Sequence, residues 1–271
     1  MQRSLLLAGG LFFFYVVEYV IPYMPFRYRK VKHAGVNIFF TITTALVNMA
    51  LAFLIIWCCD FMQSNRFGLL YILPLPLWVF IISGLLILDL ISAWLIHFLQ
   101  HKIKWMWKFH LVHHTDTHVD ATTANRHHPG ESLFRFVFTL LAVLVSGAPV
   151  WLFLLYQSFS ALLSQFNHAN ISLNPVVDKI ISLVLVSPNM HKVHHHFMQP
   201  YTDSNYANIF SIWDRIFGTY RNVKKENLIY GIDTHMHLRN HSDIKTLLSL
   251  PFQEYRIPPG SKFDEADGAQ E

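Results

Sequence analysis

Long apolar runs alternate with short polar and basic segments along much of the chain. Runs of this length predict membrane-crossing helices rather than the one-faced helices of a soluble domain. The first covers about Leu5–Met24 and ends in a basic stretch, Arg27, Arg29, Lys30 and Lys32. The second covers about Val36–Trp57 and is followed by a short turn, Asp60–Arg66. The third, about Leu69–Phe98, exceeds the roughly 20 residues a span needs. Pro74 and Pro76 divide it into an interfacial approach and a spanning helix from about Trp78. A fourth, between Leu133 and Phe166, is interrupted at Gly147 and Pro149. It reads either as two closely spaced helices or as two half-spans joined by a turn. Ile180–Val186 is too short to cross and is expected at the interface. The N-terminal run imitates a secretory signal but has no clear small-residue cleavage site before the polar turn, so it is read as a retained anchor.

Composition strengthens the membrane reading. The chain is 53% hydrophobic and 14% charged, against about 25% charged in an ordinary soluble domain. Its mean hydropathy is +0.32. The formal net charge is +4, but the basic residues flank apolar runs, so they speak of topology and not of nucleic acid. Lys102, Lys104, Lys108 and Arg126 follow the third run, while the turns at Asp60–Arg66 and Gly147 are nearly neutral. By the positive-inside rule the basic loops lie on the cytoplasmic side. Cys58 and Cys59 are adjacent and form no disulfide framework, which leaves the redox compartment open. Rossmann and phosphate-loop glycine patterns are absent from the sequence.

Candidate chemistry lies in the histidines, 17 in all. His97 and His101 are four apart; His110, His113 and His114 follow; His191, His194 and His195 repeat the same spacing. Separations of three and four share a helix face, and neutral imidazole is a common metal ligand. All three groups fall on the basic side. Eight imidazoles exceed one tetrahedral zinc and suit two metals with open positions. The donor set excludes thiolate sites, and no H-E-x-x-H occurs. A nitrogen-rich two-metal site in a membrane suits iron and oxygen chemistry, although ligand identity alone leaves zinc open. Asp89, two turns before His97, could accept a hydrogen bond from a ligand imidazole.

The segments His97-Phe98-Leu99-Gln100-His101, His110-Leu111-Val112-His113-His114 and His191-Lys192-Val193-His194-His195 resemble the histidine boxes of the fatty acid hydroxylase and sterol desaturase superfamily. Flanking residues extend the resemblance from about residue 85 to 220. They are Asp89 and Trp94, Arg126-His127-His128-Pro129-Gly130-Glu131, Ser204-Asn205-Tyr206, and Trp213-Asp214-Arg215-Ile216-Phe217-Gly218-Thr219-Tyr220. Ala207 stands where many members have glycine.

The resemblance implies a membrane-bound, non-haem di-iron oxygenase that hydroxylates or desaturates lipids. It would use O2 and electrons from a separate donor, whether cytochrome b5-like, a ferredoxin or a reductase. It makes the eight box histidines metal ligands, with His128 and His168 as further ligands or supporting groups. Two iron ions are the implied cofactor, which zinc can replace in a purified sample. Asp89, Arg126, Glu131 and Asn170 are expected to support the ligands. For Arg126 and Glu131 the alternatives are an ion pair bracing the His128 loop and ordinary interfacial charges. His127 is read as structural, His196 as solvated and His118 as a loop residue. His33, His235, His237 and His241 are read as surface groups, and Tyr206–Tyr220 as an amphipathic packing helix.

The expected fold is an all-α integral membrane bundle of four or five spanning or half-spanning helices, with a cytoplasmic helical cap holding the dimetal site. Anchor helices would occupy residues 1–84, a catalytic domain 85–220 and a cytoplasmic tail 221–271. The setting is a bacterial inner membrane or the endoplasmic reticulum. A lipid oxygenase, hydroxylating in preference to desaturating, is the favoured function. A zinc hydrolase or a metal-stabilised scaffold is the alternative, and clustering at one cap argues against a metal transporter.

Overall fold

A computed structural model describes residues 2–259 of the chain, so the end of the tail expected over residues 221–271 lies outside the described residues. Helices dominate, and the described residues contain isolated β-bridges but no strand. Helix α1 is Gln2–Val20 and α2 is Lys30–Ser64. Helix α3, Leu77–Asp89, starts after Pro76 and continues through a π-helical turn, Leu90–Leu95, into α4, Ile96–Lys102. The fourth apolar stretch resolves into two helices, α6 (Glu131–Ser146) and α7 (Val150–His168), while α5 (Lys104–His114) lies between α4 and this pair in sequence.

Two stretches, Lys30–Tyr71 and Leu77–Lys102, are long and apolar enough to cross a membrane. Their side chains agree: Phe53 and Trp57 on α2 and Trp78 on α3 are largely exposed. A face of this kind has no stable place in water and a natural one in hydrocarbon. In α1 the apolar portion, Leu7–Val20, is shorter than such a stretch.

The reversal between α6 and α7 depends on two glycines. Gly147 ends α6 with φ 74°, a left-handed cap that favours a residue without Cβ. It also packs against Gly68, whose φ is 107°; a Cβ on Gly147 would lie 2.0 Å from the carbonyl oxygen of Phe67. The α6–α7 hairpin is thereby fitted to the turn that leads into α3.

α2 packs along α6, α1 along α7, and α3 against both α6 and α7. Their apolar seam is centred on Leu88, Ala142, Val143, Leu152 and Tyr156. Three shorter helices, α8 (Pro175–Ile181), α9 (Pro188–His194) and α10 (Ile212–Ile216), carry the last histidine group and the segment after it. Helices α11 (Leu238–Ser242) and α12 (Ile244–Ser249) follow. Residues Leu247 and Leu250 then pack on Trp107 and Leu111 of α5.

Buried polar ties close the end of the bundle where the histidines sit. Glu18, unpaired in sequence, accepts from Lys30 Nζ at 2.9 Å and from the backbone N–H groups of Ala121 and Asn170. The expected amphipathic helix over Tyr206–Tyr220 is replaced by a loop with only α10 regular. Its polar groups are used elsewhere: Asp214 accepts from Trp94 Nε1 and from the N–H groups of Tyr206 and Ala207. Asn205, at φ 51°, donates to the carbonyls of Met190 and Arg221, joining α9 to this loop. Asn is among the side chains that tolerate that conformation.

Candidate metal centre

α4 and α5 meet at a sharp bend at Ile103, so His97 and His101 on one face His110 and His114 on the other. α9 supplies His194 to this group, and the five ligand atoms of His97, His101, His110, His114 and His194 lie within 4.8 Å of one another. A second group joins His113, on the adjacent side of α5, to His191 and His195 and to His168 at the end of α7, within the same limit. Because helical neighbours diverge by about 100°, adjacent residues on one helix can serve different groups. His113 and His114 do this on α5.

The nitrogens in the first group are oriented from outside. His97 Nδ1 is 2.7 Å from the carbonyl oxygen of Tyr206, and His194 Nδ1 is 2.7 Å from that of Ser204. His101 Nδ1 meets Asp203 at 3.1 Å, and His110 Nδ1 meets Glu131 at 3.1 Å. A carbonyl or carboxylate oxygen accepts only, so each Nδ1 carries the proton and each Nε2 presents a lone pair inward. His97 and His110 then direct two lone pairs at each other across 3.0 Å. In the second group His168 Nδ1 donates to Ser164 O at 2.7 Å, and its Nε2 lies 3.2 Å from His113 Nε2 and 3.1 Å from His191 Nε2. Converging buried lone pairs repel unless a cation lies among them.

Orphaned atoms tell the same story. Among the described residues, both ring nitrogens of His114 and His195 and the Nε2 atoms of His101 and His194 are buried without a hydrogen-bond partner. Native structures rarely leave so many buried polar atoms unmatched in one place. Burial, reinforced by neighbouring imidazoles, holds His113, His114, His191, His194 and His195 well below the ordinary histidine range. They are therefore neutral, the form that ligates. Burial alone would raise the Asp203 carboxyl, but His101 and Lys102 bring it down to about 2, so it stays anionic behind His101. The donor set thus fits two metal ions, five imidazoles facing one position and four the other.

Nine of the ten histidines expected at the centre come together here. His128 does not. Its Nδ1 accepts from Gly130 N and its Nε2 lies 3.2 Å from Leu248 O, so it braces the loop against α12. The neighbouring His127, expected to be structural, instead stacks on His113 with ring centroids 4.4 Å apart and forms a third group with His110 and Glu131. Residues 126–128 are not helical; extended neighbours point to opposite sides, and only the packing decides which side faces the metals.

Of the four residues expected to support the ligands, Glu131 meets a box imidazole, that of His110, and the other three act elsewhere. Asp89 accepts from the N–H groups of Ile209 and Phe210 and from Trp213 Nε1, so it anchors the loop before α10 and touches no box imidazole. Arg126 and Glu131 do not pair. Arg126 donates to Val112 O, Asn37 Oδ1, Thr115 Oγ1 and His241 O, clamping α2 to the end of α5. Glu131 receives His110, His127 and Arg135. Asn170 exchanges hydrogen bonds with Met24.

The remaining histidines divide. His196 is buried and bonded to the carbonyls of Met198 and Asn227, not solvated. His33 pairs with Asp116 and Asp120, and His235 is buried, so neither is a surface group. His118 stays in its loop, stacked on Tyr28. His237 is exposed and His241 half-buried. Asp203 and Tyr206 emerge only in three dimensions. The Tyr206 ring packs on His97, His101 and His194 at 5.1–5.7 Å. Their nearness to Asn205 in sequence was the available signal.

An all-helical chain with two apolar stretches of membrane-crossing length and two convergent imidazole groups defines a histidine-box membrane protein. The fatty acid hydroxylase family profile matches residues 81–219, and the chain belongs to that family. It is 25% identical over 147 residues to an ornithine lipid hydroxylase of Rhizobium tropici, covering 54% of this chain and 43% of that one. It is 32% identical over 140 residues to an alkylglycerol monooxygenase of Danio rerio, covering 50% and 29%. A cholesterol 25-hydroxylase-like protein of Danio rerio is 29% identical over 126 residues, covering 45% and 48%. Each match takes in less than half of the relative's length. No solved structure matches.

Proposed function

We propose that the protein is a multi-pass membrane oxygenase that uses O2 to hydroxylate a C–H bond of a lipid, with desaturation as the variant outcome of the same oxidant. The observation that carries this reading is the convergence of nine neutral imidazoles on two adjacent positions beside apolar helices. Two bound irons would supply the oxidising power against an unactivated C–H bond that no side chain possesses. His97, His101, His110, His114 and His194 would hold one ion, and His113, His168, His191 and His195 the other.

The chain's own part is orientation and exclusion. Glu131, Asp203 and the carbonyls of Ser164, Ser204 and Tyr206 keep the imidazole protons on Nδ1. The histidines of both groups are buried, so bulk water is kept from the centre. Lys30 at the start of α2 and Lys102 at the end of α4 adjoin the histidine end of the bundle. This supports a cytoplasmic centre, in an inner membrane or the endoplasmic reticulum. Electrons would come from a separate one-electron carrier docking on that basic side.

Two measurements test the reading together. Elemental analysis of the purified protein is expected to give about two irons per chain. Comparison of lipid extracts from cells with and without the gene should reveal a lipid lacking one oxygen atom or retaining one extra C–H pair. Zinc alone, with identical lipid profiles, would replace the oxygenase by the hydrolase or scaffold reading.

A further inference from the structure

We infer that α8 and α10 form one re-entrant element that dips into the leaflet on the histidine side, with the acyl chains and headgroups of the bilayer as its partner. The inference goes beyond the oxygenase reading and rests only on its membrane-spanning part. Val176, Ile180, Leu183, Val184 and Ile216 are 61–65% exposed, and Ile212 is 43% exposed. On each helix an apolar pair four residues apart shares a face, Val176 with Ile180 and Ile212 with Ile216. The two helices are tied together: Ser211 Oγ and Arg215 both donate to the Ser182 carbonyl, and Leu185 bridges to Phe210. Their exposed apolar residues thus stand close to one another, and clustered exposure of this kind marks contact with another molecule or with a membrane.

Depth selects the membrane. Leu77 opens α3, and the hydrocarbon core of a bilayer is about 30 Å thick. Asp89 lies roughly 18 Å along the continuous rod from Leu77, and Trp94 roughly 25 Å. Both fall within the hydrocarbon, and any tilt brings them further inside. The loop before α10 reaches the first level: Ile209 N, Phe210 N and Trp213 Nε1 donate to Asp89. Phe217, just after α10, reaches the second, stacking on Trp94 with ring centroids 4.2 Å apart. Hydrogen bonds and stacking therefore carry α10 to hydrocarbon level, and its ties to Ser182 carry the end of α8 with it.

The backbone is prepared for that setting. Irregular chain persists at membrane depth only where protein groups satisfy its N–H and C=O atoms. Val186 N donates to Ile209 O, and Ser211 N to Val184 O. Tyr206 N and Ala207 N donate to the Asp214 carboxylate at 2.9 and 3.0 Å, and Ile209 N and Phe210 N to that of Asp89. Two buried carboxylates thus do for this loop what water does for a loop in solvent. Lys179 on α8 and Arg215 on α10 are exposed beside the apolar residues, where they complement the phosphates of lipid headgroups. α9 lies between the two inserted helices in sequence, so its histidines are held at the membrane surface from both sides.

The test uses the full-length, metal-loaded protein in nanodiscs of phosphatidylcholine and phosphatidylglycerol. Nitroxide labels are placed at Ile180→Cys, Val184→Cys and Ile216→Cys, with Phe53→Cys on α2 as the lipid-facing reference and Glu226→Cys as the aqueous one. Cys58 and Cys59 are buried and stay unlabelled, which the unsubstituted chain checks. At all three positions relaxation by O2 should exceed relaxation by a water-soluble nickel chelate several-fold, as at Phe53 and opposite to Glu226. Labels that behave like the one at Glu226 would overturn the inference. Labels screened from both agents would overturn it too, by putting a second copy of the chain on this surface. In the unsubstituted protein, a phospholipid carrying a diazirine in its acyl chain should label residues 175–184 and 212–217, and absence of that labelling counts equally against the inference. A water-exposed label at Phe53 removes the membrane-spanning reading and this inference with it. Neither measurement requires turnover, so loss of the oxygenase reading alone leaves the re-entrant element standing.

Discussion

The two imidazole groups share α5 and α9 yet are built differently. In the five-histidine group, four of the rings are held by an outer oxygen: Tyr206 O, Asp203, Glu131 and Ser204 O. In the four-histidine group only His168 has such a hold; among the described residues the Nδ1 atoms of His113, His191 and His195 have no partner. The first position is therefore organised by the fold, while the second leaves more of its ordering to the ion. Outer hydrogen bonds fix tautomer and ring direction and raise ligand basicity, so the two positions should differ in affinity although both are made of imidazole.

The largest effect expected is from breaking either group outright. His194→Ala in the first and His113→Ala in the second should each abolish turnover and remove about one ion per chain, measured by elemental analysis with membrane insertion unchanged. Wild-type turnover in either variant would remove that residue from the ligand set. Glu131→Gln tests the outer support. It removes the anion shared by His110, His127 and Arg135, and should lower metal affinity or activity about 10–100-fold. The loss should fall on the ion of the five-histidine group, and an even loss from both would deny the distinction.

Timed chelation sharpens the comparison without mutation. The four-histidine position should empty first, giving a stage with about one ion per chain before both are lost; simultaneous loss would mean the outer hydrogen bonds carry no difference. The smallest effect is expected at His128, whose ring nitrogens face Gly130 and Leu248. His128→Gln should change metal content by less than about a tenth and cost roughly 1 kcal/mol of stability through the lost loop contact. His127→Gln, by contrast, should disturb the metal site, which elemental analysis of the paired variants will read.

Much of the centre was legible because helical spacing is local. His110 and His114 must share a face wherever α5 goes, and the same spacing brings His191 of α9 and His195 at its C-terminal cap to one side. His168, by contrast, stood out in sequence only through a resemblance. Asp89 looked like a ligand support because it shares a helix face with His97, yet its carboxylate turns to the loop before α10. Arg126 and Glu131 looked like a pair because they are five residues apart, but the non-helical turn between them sends one to α2 and the other to α5. Sequence distance predicts contact along a regular helix and loses that power once the backbone leaves it.

By itself the sequence determined the apolar stretches, the all-helical class and the three histidine groups, since each follows from periodicity and side-chain chemistry within one segment. Tertiary structure alone decided how the three groups sort into a five and a four, that His127 and not His128 packs against those groups, and which oxygens stand behind the rings. Those choices depend on how separate helices pack and on which way irregular backbone turns, and neither is encoded in local spacing.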